Sequence, residues 1–369
     1  MKTGTVRTMW LRQTLFVSVL ACLMTLTATT PPSLAQETTV RAPAGRVAEV
    51  KIHSRALEGN LLQDSADQKV AVYLPPGYNT STTRRFPVIY FLHGYSPDDQ
   101  VMTLGKLFQE TMDKLVARGA VREMIVVVPN GRNAYFGSFY TNSTVAGNWE
   151  DYISRDLVAY VDANYRTLPQ PASRGIVGHS MGGYGAMVHS MKHADVFGAA
   201  YSLSACCLSM LADLGPSNRS WRAALKFKSR DDFRTNDFFA VAFTAMAAAF
   251  TPNPNRPPLY VDFPFREENR ILVPDNPAYR KFQAHLPVNM VTAHLENLLK
   301  LRGLYIDVGV QDEFSHIPAG SLALSRELAE HGVAHVFEMY QGDHNHTIPE
   351  RIETRVLPFF SRTLKFEAQ

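Results

Sequence analysis

Five residues, Gly178-His179-Ser180-Met181-Gly182, restrict this chain more than any other stretch. Arg174-Gly175-Ile176-Val177 before them has strand character, and Gly183 to Val188 after them is a run of small and helix-forming residues. Strand, sharp turn, helix is the setting in which G-x-S-x-G becomes a nucleophile elbow. A serine that must stand clear of the backbone needs a strained turn, so the residues two before and two after it must be small. The helix start just beyond offers free N–H groups and a positive dipole end to a developing oxyanion. A glycine-rich turn inside a parallel sheet would carry the same letters, so the partners downstream decide.

The chain has 369 residues, enough for one large domain or two small ones. Residues 1–35 read as a secretory signal peptide, which predicts a secreted or periplasmic protein. Lys2, Arg7 and Arg12 form the positive start, Leu15 to Ala28 the apolar run, and Ser33-Leu34-Ala35 a small-x-small cleavage site before Gln36. A retained membrane anchor would need a longer apolar run. Lipidation at Cys22 would need the run to stop there, and it continues. Residues 36–45 read as a polar linker, and 46–369 as one domain with an insertion at about 208–287.

Without residues 1–35, the 37 basic and 34 acidic residues become 34 of each. A near-neutral chain makes no electrostatic case for nucleic acid. Cys206 and Cys207 are adjacent, closer than an ordinary disulfide wants, and read as two buried thiols near a strand end, with a strained vicinal disulfide as the alternative. No zinc-like cysteine spacing is present, and neither a metal nor an organic cofactor is called for.

Eight segments read as strands: Val47–Ile52, Lys69–Leu74, Phe86–Leu92, Met124–Val128, the elbow strand, Ala199–Ala205, Leu304–Val310 and Ala334–Tyr340. Several are continuous apolar runs, as expected of strands covered on both faces. Helical spacing appears at Leu104–Arg118, Tyr152–Asn164, after the elbow, at Ala319–His331 and at Glu350–Leu364. Alternating strands and helices predict βαβ units and a mainly parallel sheet. The insertion holds Trp221, a helix-like run Phe238–Phe250 too short to span a bilayer, and a proline-rich stretch, Pro252–Pro264. An insertion of this length at a strand end is commonly a lid or a binding wall. Val288–Arg302 reads as a core helix with Val291, Leu295, Leu298 and Leu299 on one face.

A serine hydroxyl needs a base, and the base needs an orienting acid. On an elbow of this kind the chain order is serine, acid, histidine. Asp312 follows the strand 304–310 and falls on the ligand-binding side of the sheet; Asp307, inside that strand, is the weaker candidate. The next strand ends at Gln341-Gly342-Asp343-His344-Asn345-His346, and His344 is preferred over His346 as base. The same cluster is weak as a metal site. His179 sits beside Ser180, where the turn is expected to aim its ring elsewhere. Two oxyanion donors are expected, the backbone N–H groups of Met181 and of Tyr95, with Gly94 admitting close approach of the backbone.

The runs Val72-Tyr73-Leu74-Pro75-Pro76-Gly77-Tyr78, Tyr90-Phe91-Leu92-His93-Gly94 and Gly178 to Gly185 resemble the putative-esterase family of α/β-hydrolases. Asn148-Trp149-Glu150 and Gly342-Asp343-His344 are similar to it too. The family includes feruloyl and acetylxylan esterases, enterochelin-esterase-like proteins, S-formylglutathione hydrolases and mycolyltransferases. The likeness covers about Val47–Cys207 and Leu304–Phe360 and leaves the insertion unmatched. It implies an α/β-hydrolase fold, which with the pattern above means about eight mostly parallel strands, helices on both faces and, read from its length alone, a lid-like insertion. It also implies Ser180, Asp312 and His344 as a catalytic triad. The expectation is therefore a secreted serine esterase acting on a small-molecule or polysaccharide-linked ester, a feruloyl or acetyl ester fitting best. An acyltransferase on the same fold, or a binding protein on a hydrolase scaffold, are the alternatives.

Overall fold

A computed structural model describes residues 44–368. The expected signal peptide, Cys22 and all of the linker but its last two residues lie outside them. Each of the eight expected strands is present within two residues of its expected ends. They are β1 (Arg46–His53), β2 (Asp67–Leu74), β3 (Val88–Leu92), β4 (Ile125–Pro129), β5 (Arg174–His179), β6 (Ala199–Leu203), β7 (Gly303–Gly309) and β8 (Val336–Tyr340). One sheet joins them in the order β1-β2-β4-β3-β5-β6-β7-β8. β2 runs antiparallel to β1 and β4, and every other pairing is parallel. This is the α/β-hydrolase fold.

Six of the helices are α1 (Val101–Ala117), α2 (149–164), α3 (Met181–Lys192), α4 (Phe238–Phe250), α5 (His316–Glu330) and α6 (348–363). Strand alternation sorts the core into two layers. On β3, Ile89 and Phe91 pack with Phe108 and Met112 of α1 and Ile352 and Phe360 of α6. Val88, Tyr90 and Leu92 face the other way, into the layer of Ile153, Leu157, Met187 and Leu324. Both faces are thus apolar, which is why β3 and β4 read as unbroken hydrophobic runs.

The insertion leaves after Leu208 and returns beside it, since Val288 N–H donates to the Leu208 carbonyl at 3.1 Å. Its centre is α4, buried from Ala240 to Phe250. Asp237 caps α4, its Oδ1 accepting from Ala240 N–H at 3.0 Å. Trp221 stacks on Phe243 with ring centres 3.9 Å apart. A hairpin, Phe265–Glu268 with Ile271–Pro274, turns through Asn269 and Arg270, both at positive φ. The single helix expected over Val288–Arg302 does not form. Short turns at Pro287–Asn289 and Thr292–His294 precede a helix at Leu295–Lys300, and Leu299 faces solvent. Tertiary ties explain the break: the start of this segment is held by Leu208, and Arg302 N–H by the Gly198 carbonyl at 2.7 Å.

Candidate active site

Ser180 sits between β5 and α3 with φ 57° and ψ −116°, a conformation that costs a non-glycine residue about 1–3 kcal/mol. Neighbouring backbone holds it there. Ser180 N–H donates to the Leu203 carbonyl at 3.0 Å, and the Ser180 carbonyl accepts from Tyr184 N–H at 3.0 Å and Cys206 N–H at 3.2 Å. The flanking glycines are obligatory at this turn. A Cβ on Gly182 would overlap the Leu92 carbonyl oxygen, and one on Gly178 would overlap the Gly182 carbonyl.

The loop after β3 lies against this turn. Gly94 approaches the Ser180 Cβ and the His179 ring. His93 is buried and fixes the loop: its Nδ1–H donates to the Gly94 carbonyl, and its Nε2 accepts from Gly131 N–H, both at 2.8 Å. Burial pushes the His93 pKa down, consistent with a neutral ring that donates on one side and accepts on the other. Tyr140 OH donates to the His93 carbonyl at 2.9 Å. Among the described residues, neither Tyr95 N–H nor Met181 N–H donates to a protein acceptor. Both belong to residues bordering Ser180 or its cavity, and Met181 opens the twelve-residue α3.

Asp312 and His344 come together from the ends of β7 and β8. His344 Nδ1 lies 2.7 Å from Asp312 Oδ2, and the Asp312 side chain is fully buried. Asp312 Oδ1 accepts from Phe314 N–H at 3.0 Å, which sets the carboxylate's orientation. The Phe314 ring stands edge-on to the His344 ring with centres 5.0 Å apart. His346 is exposed, and its Nδ1 lies 2.6 Å from Asp343 Oδ2. Asp307 is wholly buried inside β7, where Tyr201 OH and the Arg351 guanidinium donate to its Oδ2 at 2.6 to 2.9 Å. The structure therefore brings His344 to Asp312 and keeps both rivals, His346 and Asp307, paired elsewhere. Among the described residues, no three His, Cys, Asp or Glu side chains converge as a metal-holding group.

His179 differs from expectation. Its ring is not aimed away: Nε2–H donates to the His344 carbonyl at 2.8 Å, and the two rings lie 4.6 Å apart. Burial, then repulsion from His344, lowers its pKa to about 3, so it braces the histidine loop as a neutral donor. No sequence signal marks this, because the ring direction follows from the strained turn and from a loop 165 residues away.

Ser180, His179, Gly94, Tyr95, His344 and Asn345 border one cavity of about 190 Å³. The insertion supplies Leu214, Phe238, Phe239, Ala242, Phe243 and Met246, and Phe139 and Phe314 complete an aromatic lining. A hydroxyl on a strained turn, a carboxylate-held imidazole and two free N–H groups are the parts that acyl transfer requires.

A family described as putative esterase matches residues 65–348. An esterase of Mycobacterium tuberculosis is 34% identical over 136 residues, 37% of this chain and 28% of that protein. An endo-1,4-beta-xylanase/feruloyl esterase of Xylanibacter ruminicola is 28% identical over 134 residues, 36% of this chain and 18% of that protein. The chain thus spans less than a third of the length of these curated relatives. Among solved structures, a ferulic acid esterase superposes with a TM-score of 0.61 at 20% identity, covering 87% of this chain and 99% of that one. With the elbow, the strand order and a match over most of its length, the chain belongs to the putative-esterase family of α/β-hydrolases.

Proposed function

We propose that this protein is a serine hydrolase of carboxylic esters, with Ser180, His344 and Asp312 as its catalytic triad. The observation that carries the reading is the convergence on one cavity of Ser180, on its strained turn, and His344, held by Asp312. With Nδ1–H given to Asp312, Nε2 of His344 is left with its lone pair and can take the Ser180 proton. Ser180 Oγ attacks the ester carbonyl, and the oxyanion is received by Tyr95 and Met181 N–H. The intermediate collapses as His344 protonates the leaving alcohol, and water, activated by the same imidazole, releases the acid.

The substrate reading rests on the aromatic lining. Phe139, Phe238, Phe239, Phe243 and Phe314 favour a flat, apolar acyl group over acetate, and a hydroxycinnamoyl ester such as a feruloyl ester fits that chemistry. A panel of p-nitrophenyl and feruloyl esters tests both levels. Hydrolysis lost in Ser180→Ala, and higher kcat/KM for aromatic than for acetyl esters, are the expected results; an active Ser180→Ala protein overturns the mechanism. Residues 1–35 further support export, with the linker and single domain following. Sequencing of the protein recovered outside the cytoplasm is expected to start at Gln36, and an intact residue 1 there overturns it.

A further inference from the structure

The same cavity contains a second carboxylate–imidazole pair that ester hydrolysis does not use. Asp213, in the short turn Ala212–Leu214 at the start of the insertion, places Oδ1 2.6 Å from His316 Nδ1. Asp213 also accepts the backbone N–H of Ser315 at 3.0 Å and of His316 at 2.8 Å, so it caps α5. Capping accounts for the backbone contacts but not for the buried imidazole. With Nδ1–H given to Asp213, His316 keeps its other nitrogen for the cavity wall that it shares with Cys206. Cys206 is itself held beside the nucleophile, since its N–H donates to the Ser180 carbonyl at 3.2 Å. Cys206, Cys207 and His316 all border the cavity that Ser180 and His344 share.

The electrostatics of the cluster favour a thiolate at Cys206. Burial opposes its charge, but hydrogen bonds from Cys207 and His316 outweigh burial and lower its pKa. Burial, then Cys206, drives Cys207 the opposite way. Burial also opposes the His316 cation, yet Asp213 and Cys206 hold its pKa up at about 9. The fifteen-residue α5 begins at His316, so its positive dipole end lies at the imidazole, where Asp213 accepts its first N–H groups. A thiol beside an imidazolium is a usual setting of a reactive cysteine.

We infer that Cys206, backed by His316 and Asp213, is a second nucleophile of this cavity and a site of covalent modification by small organic disulfides. The Cys206 thiolate attacks one sulfur of R–S–S–R. A Cys206–S–S–R bond forms as the original S–S bond breaks, and R–S⁻ leaves with the bonding electron pair. Cys207 Sγ lies 2.7 Å from Cys206 Sγ, but burial, then Cys206, holds its thiol protonated, which makes it a poor resolving nucleophile. Adjacent Cα atoms lie about 3.8 Å apart, whereas ordinary disulfides span about 4.4–6.8 Å. The group R then occupies the cavity beside Ser180 and excludes an acyl group.

The test treats the full-length protein with oxidised glutathione and with 5,5′-dithiobis(2-nitrobenzoate) at pH 7, followed by intact mass and peptide mapping. One mixed disulfide at Cys206 is expected, formed at least roughly tenfold faster than in His316→Gln or Asp213→Asn. Circular dichroism verifies that each variant is folded, and either variant suffices. Ester hydrolysis, as a fraction of each protein's own untreated rate, falls with labelling and returns with dithiothreitol, and Cys206→Ser loses this response. An unmodified Cys206, labelling centred on Cys207, an internal Cys206–Cys207 disulfide without adduct, or equal labelling rates in both folded variants overturns the inference. The labelling readout does not depend on the protein being an esterase.

Discussion

The Asp312–His344 and Asp213–His316 pairs are nearly the same object at the level of atoms. Their N···O distances are 2.7 and 2.6 Å, and both imidazoles are buried against one cavity. They differ in what builds them. Asp312 and His344 stand on the loops that end β7 and β8, so the sheet register sets their separation. Asp213 belongs to the insertion and His316 to the first turn of α5, so their meeting depends on how the insertion folds back. One pair shares its cavity with a hydroxyl on a strained turn, the other borders it beside a thiol. A carboxylate–imidazole pair is thus generic; its chemistry is assigned by the nucleophile that the fold sets beside it.

The strongest way to break this distinction is at the hydroxyl. Ser180→Ala is expected to lower kcat/KM for a p-nitrophenyl ester by at least roughly a thousandfold, with a thermal midpoint close to the parent's. If Cys206 sustains the reaction instead, the two nucleophiles have been assigned in reverse.

Next come the two carboxylates. Asp312→Asn should reduce kcat by about 10²–10⁴-fold, since the amide cannot stabilise the imidazolium and can favour the wrong tautomer. Asp213→Asn should cost less than about tenfold. His344→Ala and His346→Ala should divide the same way, with only the former inactive. Equal losses in the two carboxylate variants, read from initial rates, would erase the difference between the pairs.

Asp307→Asn separates position from chemistry. It leaves the buried Arg351 guanidinium, shared with Glu338, short of a charge partner, and should cost about 3–5 kcal/mol of stability. Urea unfolding measures the loss, while kcat per folded molecule should stay within about twofold of the parent. A variant of normal stability with no activity would move the acid onto β7.

A smaller effect is expected at the insertion wall. Phe238→Ala with Phe239→Ala should raise KM for an aromatic acyl ester by about 3–10-fold, the worth of one or two aromatic contacts, and spare an acetyl ester. Unchanged selectivity would reduce this wall to packing. The smallest effect is on pH dependence. His316 has a pKa raised to about 9 in the folded protein, against about 6.5 in an unfolded chain. The stabilisation from its protonated form is complete below about 6.5 and is lost as pH rises through about 9. Cys206, with its pKa lowered to about 6 from about 8.5 in an unfolded chain, adds stabilisation that grows over the same window, so urea midpoints should stay nearly flat in the parent and fall as pH rises in Cys206→Ser; a parent profile falling as steeply as the variant's would show that no thiolate faces His316.

The elbow and the strand succession were legible, and Asp312 and His344 could be set at strand ends, because each of these is a local statement. Apolar runs mark covered strands, glycine is required at a crowded turn, and chain order along a parallel sheet brings the strand-end loops to one rim. What failed to read was what depends on distant partners. The stripe Val291, Leu295, Leu298 and Leu299 has helical spacing, but the chain there is tied to Leu208 and Gly198 and breaks into short turns. The hairpin at 265–274 was hidden among prolines and charged residues. His179 gave no sign of its role because its ring direction is a property of the strained turn.

By itself, then, the amino-acid order determined the sheet, the place of the elbow serine and which residues could stand near it, since spacing and side-chain type act over a few residues at a time. Only the tertiary structure decided that His344 rather than His346 meets Asp312, that His179 braces the loop, and that Cys206 and His316 share a cavity wall. Each of these joins segments 32 to 165 residues apart, the extremes being Asp312 with His344 and His179 with His344. Its energy comes from burial and hydrogen-bond geometry that exist only once the sheet, the insertion and α5 are packed together.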